Sequence, residues 1–229
     1  MVFVRIVVAA FVLVLGGCST MNGARPLDAG QQAASLTFGG AMVEFGGSYI
    51  PLPNLMVEGR RGVGELQGFA SDVHAGINLT AAAFGQIGLH GGSSHLLLEQ
   101  SGGVPALSLV ERLYLYTNHA DANTHVDGKG FWALHQTELI GSWELGNHLL
   151  YTGVAQYTDL GDPSLLFTPI LGGELFGRAA QPGWGLQLEA RWFAFNRDHD
   201  LVNVNWLQPL GVGALGLSAG LRYTFGGAQ

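Results

Sequence analysis

The chain has 229 residues, 48% hydrophobic and only 12% charged, with 36 Gly, one Lys, one Cys and a net charge of −7. So much apolar content excludes a disordered chain, and a lone Cys excludes an internal disulfide framework. The negative charge, with no Lys/Arg cluster, excludes a basic nucleic-acid-binding surface.

Residues 1–17 read as an export signal. Arg5 is the only charge before Arg25, and residues 6–15 are unbroken apolar. About ten apolar residues make about 15 Å of helix, half of a bilayer core, so the segment is too short to span. A basic start, an apolar core and small residues before a cut site are the parts of a secretory signal. The run Leu15-Gly16-Gly17-Cys18 resembles the bacterial lipoprotein box. That resemblance implies that Cys18 becomes the mature N-terminus and carries a diacylglycerol. Ser19 follows where an Asp would favour inner-membrane retention, which implies the outer membrane. It also implies outer-membrane lipid and the lipoprotein sorting machinery as partners. Residues 18–35 are small and polar and are expected to form a flexible tether.

Residues 36–226 read as one domain of membrane strands. No later stretch is long and apolar enough for a spanning helix, and the alternative way to span is a closed barrel. Its signature is segments of about ten residues in which apolar and polar positions alternate. The last segment shows this best: Leu215, Leu217, Ala219, Leu221, Tyr223 and Phe225 share one face, and Gly216, Ser218, Gly220, Arg222 and Thr224 the other. Residues 72–81 and 184–193 repeat the pattern. Ten segments are expected: 36–46, 54–64, 69–80, 86–100, 105–117, 131–145, 148–158, 168–177, 184–196 and 212–225. The fold class is therefore all-β, a closed antiparallel up-and-down membrane barrel of about ten strands (about 8–12). Alternate connections are short and long, which puts the short turns and the N-terminus on the periplasmic side. Two belts of aromatics are expected at the interfaces. Tyr49, Tyr114, Tyr116, Phe131, Trp132, Tyr157, Trp192 and Phe195 would form the loop-end belt. Phe38, Trp143, Tyr151, Trp184, Tyr223 and Phe225 would form the turn-end belt. Leu221-Arg222-Tyr223-Thr224-Phe225 resembles the closing strand of bacterial outer-membrane barrels, which implies the barrel assembly machinery as a further partner; Gly226-Gly227-Ala228-Gln229 follow the Phe.

The inward face is expected to carry a charge network of Glu44, Glu58, Arg60, Glu138, Glu174, Glu189, Arg191 and Arg222, with Asp72, His74, Glu144 and Gln187. Carboxylates and guanidiniums there should pair, since an unpaired buried charge is costly. Two stretches strain the alternation: Glu111 falls with Leu109 and Leu113, and His135 with Leu139, which a bulge or a register slip would explain.

Weak candidates for acyl-transfer chemistry are His95, His74, Ser93 and Asp72, a hydroxyl, imidazole and carboxylate set. The run Arg197-Asp198-His199-Asp200 and the strand count are similar to the omptin-type proteases, but no longer motif matches. The loop carboxylates and His119, His125 and His199 match neither the twelve-residue Ca²⁺ loop nor a compact zinc site, so no metal or cofactor is expected. Three functional readings follow. The first is an outer-membrane barrel lipoprotein with a plugged polar interior and a structural, interaction or narrow-conduit role. The second is a barrel enzyme acting on lipid acyl chains or peptides. The third is a periplasmic lipid-anchored barrel with an apolar interior that binds a ligand. Face polarity separates the first and third.

Overall fold

A computed structural model describes residues 21, 23–83, 85–118, 130–161, 164–175, 182–197 and 205–226. The strands are β1 (Gln32–Phe45), β2 (Ser48–Pro51), β3 (Leu55–Leu66), β4 (Phe69–Asn78), β5 (Gln86–Leu98), β6 (Ala106–Asn118), β7 (Phe131–Leu145), β8 (His148–Asp159), β9 (Leu165–Leu175), β10 (Gly183–Phe193) and β11 (Ala214–Phe225). Each long strand pairs antiparallel with its chain neighbour, and β1 pairs with β11, which closes the sheet into a ten-stranded barrel. The ten long strands coincide with the ten expected segments to within a few residues. The short β2 is an addition, folding back on the end of β1 above the barrel rim.

The period-2 pattern explains both faces. In β11, Leu217 and Leu221 are exposed outward while Gly220, Arg222 and Thr224 are buried. The outer wall is apolar over most of its circumference: Leu36, Val57, Ile77, Leu89, Leu139, Leu150, Leu171 and Leu188 all point away from the lumen. This is the reverse of a lipocalin-like barrel, so the apolar-lumen reading fails on face polarity. No described helix is long and apolar enough to cross a membrane.

Glycine matters most where strands approach closely. Gly39 lies at φ +126°, and a Cβ there would sit 2.3 Å from the Leu217 carbonyl oxygen. At the β3–β4 turn, Gln67 and Gly68 both take positive φ, as a tight two-residue hairpin requires.

The expected tether differs in its second half. Residues 32–35 already belong to β1, and residues 23–31 lie against the inner wall. Ala24 and Leu27 are buried, and Gly30 N–H donates to the Gly62 carbonyl at 3.0 Å. Small polar residues suggest a free linker only in the absence of partners; here the barrel supplies them. Cys18 and the signal lie outside the described residues.

The aromatic expectation also changes. Tyr114, Tyr116 and Tyr151 are buried inside the lumen, and Trp132 and Tyr157 also sit on the inward side of their strands. Height along the strand places them near the rims, but strand parity decides the face. Phe38 lies mid-wall, opposite Leu55 and Ala219. Trp184, Tyr223 and Phe225 do form a turn-end group, with ring centroids 4.9 and 4.7 Å apart in edge-on pairs. Phe45, Tyr49, Phe131 and Phe195 are exposed at the loop end.

Candidate functional site

The lumen is filled in three tiers. At the turn end, residues 23–31 enter and are bolted to the wall. Arg25 pairs with Glu144 at 2.6 Å, and its guanidinium also donates to Ser142 Oγ at 3.0 Å and Gln100 Oε1 at 2.6 Å. Leu27 N–H donates to Asp72 Oδ2 at 2.9 Å, and the same oxygen accepts from Arg60. Arg60 also reaches the Arg25 carbonyl at 3.3 Å. Room for this segment comes from glycine: a Cβ on Gly62 would lie 1.9 Å from the Asp28 carbonyl oxygen. Gly62→Val is therefore expected to displace residues 23–31 while the barrel stays closed. Hydrogen exchange should then speed at Leu27 and not at mid-strand amides; equal protection in both proteins would contradict the seating of this segment.

The middle tier is a network of paired charges. Arg191 Nη1 lies 3.0 Å from Glu138 and 2.7 Å from the Tyr157 hydroxyl, and its Nε lies 2.5 Å from Glu189. Tyr151 donates to Glu189 at 2.9 Å, and Gln136 donates to Glu138. Glu58 holds His90 at 3.1 Å and Arg112 at 3.4 Å. On the opposite wall, Arg222 pairs with Glu174 at 2.8 Å, and Gln187 donates to the other oxygen of Glu174 at 3.0 Å. Among the described residues, buried Arg60, Arg112, Arg191 and Arg222 face buried Glu58, Asp72, Glu138, Glu174 and Glu189. Four guanidiniums against five carboxylates is near balance, the condition under which a lumen closed to water can hold ions at all. Arg suits the role because its planar fork serves several acceptors at once.

The loop-end tier is apolar and aromatic. Short helix α1 (Leu79–Ala83) starts on Asn78, whose Oδ1 accepts from Ala81 N–H at 3.0 Å. This cap tucks Ala81 against Met56, Tyr114 and Tyr116, with Tyr116 stacked on Trp132 at 5.2 Å. Across the barrel, Trp206 packs with Ala41, Leu52 and Ala214.

The predicted residues divide as follows. Glu58, Arg60, Glu138, Glu174, Glu189, Arg191 and Arg222 are buried in the lumen. Glu44 is not: it lies exposed at the loop end, accepting from Asn205 at 2.8 Å. Glu144 is partly exposed at the turn end. Sequence reasoning missed Arg112, His90 and Arg25. Strand parity signals the first two, since Arg112 alternates with outward Glu111 and His90 with outward Leu89. For Arg25 nothing local announces a role, because its partners are 75 to 119 residues away.

The proposed hydroxyl–imidazole–carboxylate cluster does not assemble. Asp72 and His74 face the lumen, whereas Ser93 and His95 face outward. A single wall separates them because strand parity differs. On the outer side His95 is flanked by two hydroxyls, Ser71 Oγ at 2.8 Å and Ser93 Oγ at 2.9 Å. Asp198, His199 and Asp200, like His119 and His125, lie outside the described residues.

No protein-family model matches the chain, and no curated protein does. Among solved structures, the translocator domain of the autotransporter NalP from Neisseria meningitidis is similar at 11% identity, over 95% of this chain and 94% of that one, with a TM-score of 0.40. Ail, the attachment invasion locus protein of Yersinia pestis, is similar at 7% identity, over 86% and 99%, with a TM-score of 0.26. Both scores are low; the class rests on the chain's own geometry, a closed ten-stranded antiparallel barrel with an apolar outer wall and a charged, filled lumen.

Proposed function

We propose that the chain is an outer-membrane β-barrel lipoprotein with a sealed lumen, acting through its surfaces as a structural or interaction protein. The observation that carries this is the inverted polarity: leucines outside, paired Arg and Glu inside. An open sheet or an apolar-cored barrel has no use for that arrangement, whereas a bilayer requires it. The two-residue turns β3–β4 and β7–β8 lie on one rim and the two longest connections, 119–130 and 194–213, on the other, which supports a periplasmic turn end. Traced back from β1, residues 31–23 turn at that rim and run into the lumen, where Ala24 and Met21 are buried; the lipid anchor at Cys18 rests on the lipoprotein-box resemblance alone. Filling by side chains and by residues 23–31 favours a plugged barrel over a conduit.

Purified protein should migrate faster in SDS before boiling than after, and in a planar bilayer it should give no steady ohmic conductance. A stable conductance would overturn the sealed reading; absence of heat-modifiability would overturn the membrane reading. Cys18→Ser should abolish incorporation of labelled fatty acid into the mature chain.

A second reading, acyl chemistry on membrane lipid, is favoured by the hydrogen-bonded Ser71–His95–Ser93 set on the outer wall. Lipid hydrolysis by the purified protein that is lost in Ser93→Ala and His95→Ala would establish it, and hydrolysis that survives His95→Ala would remove it.

A further inference from the structure

The outer wall is interrupted by a polar row. In the strand register, Gln32 pairs with Arg61, Arg61 with Val73, Val73 with Ser93, Ser93 with Glu111, Glu111 with Thr137 and Thr137 with Gln156. All seven point outward, and only Val73 is apolar. In a tilted barrel such a row runs obliquely, from the base of β1 to the upper part of β8. At its centre Glu111 Oε2 lies 2.8 Å from His135 Nε2 and accepts from the Thr137 hydroxyl at 2.9 Å. Their side chains stay accessible, 43% for His135 and 35% for Glu111. Exposed leucines surround them: Leu113 and Leu139 at 38% and 42%. Glu111 is next to the middle residue of its thirteen-residue strand, remote from both rims. Here the strained alternation at Glu111 and His135 has its answer: no bulge lies there, and the irregularity in β5–β6 falls later, between Leu96 and Leu98.

We propose that this row is the contact face for a second copy of the same chain within the membrane, centred on Glu111, His135 and Thr137. The inference rests on the membrane reading, because only against hydrocarbon does a carboxylate in mid-wall need covering. Charge complementarity selects the occupant. The centre carries an acceptor (Glu111), a donor (His135) and a hydroxyl that does both (Thr137) side by side. A two-fold axis along the membrane normal brings two copies of this triplet together, and a patch that holds both donors and acceptors is self-complementary, as an isologous contact demands. Two tilted rows facing each other cross at one height, so the central triplet meets itself and the ends of the row diverge.

The test uses the full-length protein in isolated outer membranes. With Cys18→Ser as background, Thr137→Cys under mild oxidation should give a band at twice the chain's mass. Leu188→Cys, exposed on the far wall, should give none and should react instead with a membrane-confined thiol label. In density-matched micelles, wild type should sediment as a dimer, and Glu111→Leu with His135→Leu should shift it to monomer. Monomeric wild type, a dimer indifferent to that double substitution, equal crosslinking at Leu188, or recovery of a different protein crosslinked to Thr137→Cys would each overturn the proposal. If Leu188→Cys also fails to label from the lipid phase, it is the membrane reading that has failed.

Discussion

Replacing Arg191 with Met is expected to destabilise the folded barrel by about 3–5 kcal/mol, the range for removing one partner of a buried charge network. Arg191 stands between Glu138 and Glu189 and also donates to Tyr157. Without it the two carboxylates remain in a lumen from which water is excluded. Gln136 and Tyr151 still donate to them, which offsets part of the loss. The measurement is urea-dependent folding into lipid vesicles, followed by tryptophan fluorescence. Adding Glu189→Gln to Arg191→Met should recover part of the stability, since neighbouring members of one network do not add. A single-variant loss under about 1 kcal/mol, the value typical of exposed ion pairs, would mean that the network is hydrated.

Asp72→Ala should release the N-terminal segment from the lumen. Asp72 is the shared acceptor for the Arg60 guanidinium and the Leu27 amide, so one substitution breaks both the wall pair and the anchor. Ala24 is fully buried and reports the event. In a Cys18→Ser background, a cysteine substituted at Ala24 should react slowly with a maleimide. Adding Asp72→Ala should speed labelling by about 10²-fold, corresponding to roughly 3 kcal/mol less resistance to local opening. The barrel's heat-modifiable migration should persist, because the strand ladders do not depend on this segment. Unchanged labelling would place the hold on residues 23–31 elsewhere, in the Arg25–Glu144 contact and in the fit at Gly62.

Much of the fold was legible because a membrane barrel is written in local code. Strand, turn and face repeat with a period of two residues, and a turn announces itself in pairs such as Gln67-Gly68. Burial of Arg222 or Glu189 follows from the parity of the residue alone. Position along a strand gives height but not face: Tyr114 and Tyr151 lie near the strand ends, yet both point into the lumen. The candidate chemistry failed for the same reason. Ser93 and Asp72 are close in the sheet, but one faces outward and the other the lumen.

What the sequence determined by itself was the class of the chain: alternation over ten segments, few charges, and inward positions that carry most of the charges lying within the strands. These are properties of single strands, set by side-chain period and by the solvent on each face. What only the tertiary structure decided was which strands are neighbours and which charges meet. Arg25 finds Glu144, Arg191 finds Glu138, and polar residues of six strands line up into one outward row. Register and closure join residues far apart in the chain, and no local pattern encodes such a distance.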